Sequence, residues 1–157
     1  MKSQKPLGMK WYKFLIYFAL IAGAVVNILY SFSYLTGSMY VTETNGAVTA
    51  EEVYAYYGEG LQVADIAYGI FLIGFGVFAI ILRHKLANYE QDAPVFVYIF
   101  YSILAGAPIA YNCIVAAITV QLGIVYNAIP SFIAGLVLLL CNVRYFKRRE
   151  HLFGTSV

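Results

Sequence analysis

Asp65 is the one ionisable side chain inside any long apolar run of this 157-residue sequence, so any site chemistry starts there. An unpaired charge in hydrocarbon costs at least a few kcal/mol, and such groups are therefore either functional or firmly bonded. A carboxylate at this place can hold a proton or a cation, with Asn27, Asn112 and Gln121 as neighbouring amide oxygens. At 1.5 Å per helical residue, Asn27 and Asn112 each come out about 12 Å below the outer ends of their segments, and Asp65 about 6 Å below its own. Ser31, Thr119, Asn127 and Ser131 fall in the same outer half. The opposite half offers little beyond Ser102, so an outward-facing polar pocket is expected rather than a polar path right through. The competing reading is structural. A carboxylate in the first turn of a helix gains from the dipole and from free backbone N–H groups.

Other chemistries lack their residues. His84 and His151 both lie outside the apolar runs, so no pair of helices can ligate haem between them. No H-E-x-x-H helix and no Cys/His/acid cluster is spaced for zinc. Cys113 and Cys141 are isolated and expected at different depths, too far apart for a bridge. Gly69, Gly74 and Gly76 lack the spacing of a dinucleotide fingerprint, and there is no phosphate-binding loop. The sequence leans away from an enzyme, and no cofactor and no metal are expected.

The elements that must position these residues follow from composition. Hydrophobic residues make up 62% of the chain and charged ones 11%, against roughly 45–50% and about 25% in soluble domains. Four runs reach the ~20 apolar residues that a spanning helix needs: about 14–35, 61–82, 95–120 and 124–143. The expected fold is all-α, an antiparallel four-transmembrane-helix bundle forming a single domain over 1–157. Its tails are 1–13 and 144–157, its external loop 36–60 and its cytoplasmic loop 83–94.

All ten Lys and Arg fall in the tails and in the 83–94 loop, which places that side, with both termini, in the cytoplasm. The expected location is the cell membrane, with the first span a retained anchor rather than a cleaved signal. The opposite side receives Glu43, Glu51, Glu52 and Glu59. Within it, Thr42–Gly46 reads as a turn. Thr49-Ala50-Glu51-Glu52 then reads as a capping box opening a short amphipathic helix over about 50–57. Tyr30, Tyr34, Tyr40, Tyr54, Tyr56, Tyr57, Tyr68 and Tyr126 would form an outer aromatic belt.

Small residues recur at helical spacing, with Gly23, Gly69, Gly106 and Gly135 as the packing seams. Pro108 predicts a kink in the third span. Pro130 sits near the start of the fourth, where proline is tolerated. The basic 144–149 cluster reads as a stop-transfer signal that also favours anionic headgroups.

Four spans, cytoplasmic ends and a larger first external loop resemble tetraspanin-like or claudin-like topology in layout. The cysteine-bearing external motifs of those families are absent here, so no function carries over. The reading is a small multi-pass membrane protein, non-catalytic, acting as an accessory subunit or membrane-interaction protein. Its partners would be the lipid bilayer, a second copy or a larger membrane complex, and no nucleic acid. The alternative is a small transporter, channel or ligand-binding protein built around Asp65.

Overall fold

The computed structural model describes residues 8–153. The extreme ends of both expected tails, including Lys2 and Lys5, lie outside the described residues. The described chain is all-helical, with no strand. Helix α1 covers Lys10–Thr36, α2 Ser38–Glu43, α3 Ala50–Tyr57, α4 Glu59–Ala87, α5 Ala93–Thr119 and α6 Gly123–Lys147; a single 3₁₀ turn follows at Glu150–Leu152. Helices α1, α4, α5 and α6 are long and apolar enough to cross a membrane.

Helices α1, α4 and α6 outrun their apolar segments at both ends, while α5 starts two residues early and stops one short. Backbone hydrogen bonding continues into polar flanks that hydropathy alone assigns to loops. The basic tail is one such flank: helix α6 carries Arg144 and Lys147 in its last turn. A wider π turn over Leu15–Ala19 interrupts α1, and α2 is a helical turn within the stretch read only as a connection. Helix α5 runs through Pro108. Pro130 is the eighth residue of α6, which begins at Gly123 about where expected, so it lies inside the helix and past the first turn that tolerates proline.

Two close seams order the helices. At Gly69 an added Cβ would come within 2.9 Å of Leu35 and 3.1 Å of the Ser31 carbonyl, and at Gly76 within 3.2 Å of the Ala24 carbonyl, which locks α4 against α1. At Gly135 it would meet the Ala105 backbone at 2.7 Å, which locks α6 against α5. Beside Gly23 and Gly106 an added Cβ meets nothing within 4 Å, so these two glycines do not mark a close approach.

The buried apolar core gathers at one end. It joins Tyr12, Leu15, Leu82, Leu86, Val97 and Phe146, from the start of α1, the end of α4, the start of α5 and the end of α6, with Phe153 from just after the 3₁₀ turn. Polar ties reinforce that end. Tyr12 donates to the Leu86 carbonyl. The Trp11 indole N–H donates to Asn142 Oδ1 at 3.1 Å, and Arg83 Nε to the Ile16 carbonyl at 3.1 Å.

Arg149, expected as part of the basic stop-transfer cluster, is only 7% exposed. It donates to the Gly8 and Tyr145 carbonyls, and its guanidinium lies over the Tyr145 ring at 3.7 Å. A planar cation that stacks on an aromatic face can be buried where an ammonium would stay in water. Lys85 stays at the surface and bridges Glu90 and Asp92 across the α4–α5 turn.

Candidate functional site

The other end of the molecule is organised by Asp65. Helix α4 begins at Glu59, so Asp65 lies beyond the first turn, past the backbone N–H groups left free at a helix start. First-turn capping therefore does not account for it. The side chain is completely buried and is met by three phenols. Tyr40 Oη donates to Oδ2 at 2.7 Å and Tyr54 Oη to the same oxygen at 3.0 Å. Tyr111 Oη donates to Oδ1 at 2.6 Å. Both carboxylate oxygens are thus partnered, as a buried polar group requires. Hydrogen bonds to an ionised acceptor are among the stronger ones in proteins.

Each donor arrives on a different element. Tyr111 comes from α5, while Tyr40 and Tyr54 come from α2 and α3, which form a cover over this end. That cover hangs on two glycines. Gly37 adopts φ +67° and ends α1. A Cβ there would lie 2.5 Å from the Ala50 Cβ and 3.0 Å from the Tyr54 hydroxyl, so the close approach and the left-handed backbone both demand glycine. Gly58 adopts φ +89° and ψ 169° between α3 and α4, a region that only glycine enters readily. Helix α3 itself opens with the expected capping box: the Glu52 N–H donates to Thr49 Oγ1 and the Thr49 N–H to the Glu52 carboxylate.

Below the carboxylate, Tyr111 stacks on Tyr68 with ring centroids 4.2 Å apart. Tyr34 stands edge-on to both, at 5.2 Å and 4.9 Å. Beside this tyrosine pair, α4 and α5 are separated by an apolar cleft of about 290 Å³. Four small side chains, Ala64, Ala67, Ala107 and Ala110, leave the space open, and Tyr68 and Tyr111 close one wall.

Burial, together with the bond to Asp65, holds the Tyr40 hydroxyl well above the usual phenol range. Burial and then the Asp65 charge do the same for Tyr54. Both therefore stay protonated donors. At the surface, the bonds from the Thr49 backbone and hydroxyl hold the Glu52 carboxyl below its ordinary value.

The amides expected around Asp65 go elsewhere. Asn112 Nδ2 turns back to the Pro108 carbonyl at 2.8 Å. Gln121 Nε2 reaches the Tyr57 hydroxyl at 2.7 Å. Asn27 is half-buried, and no hydrogen bond joins it to Asp65 among the described residues. Tyr40 and Tyr54 were legible in sequence only as members of an aromatic belt. Tyr111 carried no signal of its own, because nothing in the sequence separates it from the other tyrosines of the apolar runs. Among the described residues no cluster of His, Cys, Asp and Glu could hold a metal ion. No protein-family model, no curated protein and no solved structure matches this chain.

Proposed function

We propose that this protein is a small multi-pass membrane protein of the cell membrane, an antiparallel four-span bundle with both termini cytoplasmic, acting as a non-catalytic accessory or membrane-interaction protein. The Gly69–Ser31 and Gly76–Ala24 approaches support the antiparallel order, because α4 descends as α1 rises. The sorting of all ten Lys and Arg to one side supports the orientation.

The observation that carries the interaction role is the flank of α6. Only 11% of its apolar window is buried, against 28–39% for the other three long helices. Ile129, Ile133, Leu136, Val137 and Leu140 all face outward. A helix whose apolar stretch is so little covered leaves most of its circumference for lipid or for another spanning helix. Gentle extraction followed by native mass spectrometry tests this. A second copy or another spanning subunit is expected to co-migrate, and a lipid-only monomer at every detergent level would overturn the reading.

A second reading, ligand binding around Asp65, is favoured by one observation. No base pairs with Asp65 among the described residues. The nearest cation along its own helix, Arg83, is eighteen residues away, about 27 Å.

A further inference from the structure

Asp65 and the alanine cleft adjoin one another. Tyr111 lines the cleft and also donates to Oδ1, and Ala64, a cleft residue, directly precedes Asp65 in α4. A buried carboxyl group that pairs with no base among the described residues stands at the head of an apolar slot, and the two groups on its second oxygen both belong to a cover hinged at Gly37 and Gly58.

We infer that this pair of features is a binding site for an amphipathic amine. Its ammonium would replace the Tyr40 and Tyr54 hydroxyls on Oδ2, and its alkyl chain would lie between Ala64, Ala67, Ala107 and Ala110. This rests on the ligand-binding reading of Asp65 and names the ligand class.

The chemistry fits part by part. A primary ammonium carries N–H donors for the oxygen that two phenols now share, and it adds the positive charge that the phenols lack. The rings of Tyr34, Tyr68 and Tyr111, packed with centroids within 5.2 Å of one another, give a cation π faces on the floor side. Tyr111, on the opposite oxygen, keeps the carboxylate oriented while the cover opens. The present closed form is then the self-occupied state, with Tyr40 and Tyr54 standing where the ligand's N–H groups go.

The test uses the full chain in lipid nanodiscs, with melting temperature read against butylammonium, octylammonium, octanol and sodium chloride. Octylammonium is expected to stabilise saturably, at least about tenfold more tightly than butylammonium because four further methylenes enter the cleft. Octanol is expected to give no saturable shift. Asp65→Asn should abolish the response. Ala110→Leu should bring octylammonium down to the butylammonium level. Tyr54→Phe, which removes one competing hydroxyl, should tighten binding several-fold and serves as the decisive variant if Asp65→Asn does not fold. Equal shifts from octanol and octylammonium, or weaker binding by Tyr54→Phe, would overturn the proposal. A sodium response that needs Asp65, without an ammonium response, would overturn the ligand class and leave Asp65 a binding centre. No Asp65-dependent response to any cation would remove that reading as well.

Discussion

Three phenols share two carboxylate oxygens unequally, and single substitutions should show it. Tyr111 alone serves Oδ1, so Tyr111→Phe leaves a buried charged oxygen unpaired and should cost about 2 kcal/mol in reversible unfolding. Tyr40 and Tyr54 both serve Oδ2. Either one replaced by Phe should cost only about 1 kcal/mol, and the double variant more than the sum, a non-additivity that a double-mutant cycle would read. Gly37→Ala forces a methyl into contact with Ala50 and Tyr54 at a positive φ. It should destabilise by about 2 kcal/mol or more and loosen the cover, seen as faster amide exchange in α2 and α3. Asp65 itself could be singled out from sequence because a lone charge in an apolar run is conspicuous. Its partners could not. Hydroxyl-bearing rings look alike whether they anchor at an interface or bond a carboxylate, and two of the three come from elements whose docking is set by glycine torsions.

At the scale of elements, the four long helices and the capped α3 follow from local rules: apolar length, and the reciprocal Thr49–Glu52 bonds. Thr49→Ala should cost about 1 kcal/mol of α3 stability and raise exchange rates there. Glu52 contributes with a lowered carboxyl value. Its share is therefore present above the ordinary carboxylate range and disappears as pH falls through the lowered one, and an acid titration of α3 helicity would read this. The end of α5 is a strained cap, with Val120 held at φ +57° and nearly fully exposed. Val120→Gly should raise stability by about 1 kcal/mol, because a branched side chain disfavours the left-handed region and glycine does not. The seams divided between legible and illegible. A stripe of small residues identifies candidates, yet only the facing helix decides that Gly69 and Gly135 touch backbone while Gly23 and Gly106 face space.

Across the whole molecule the two ends are built differently. One is a packed aromatic and aliphatic core with ties among four helices, and the other is held at Asp65. Alkali should therefore act on the Asp65 end. Tyr40 and Tyr54 carry raised values, so their contribution is complete below the ordinary phenol value of about 10 and declines above it, as the unfolded chain ionises first. A loss of stability beginning near pH 10, and reduced in Tyr40→Phe, would be read by denaturant titration. The joint at the packed end has a temporal consequence as well. Gly8 and Asn142 take their partners from opposite extremes of the sequence, Arg149 and Trp11 respectively. Neither bond can form until synthesis has passed Asn142 or Arg149, so α1 is made long before the partners that tie it down.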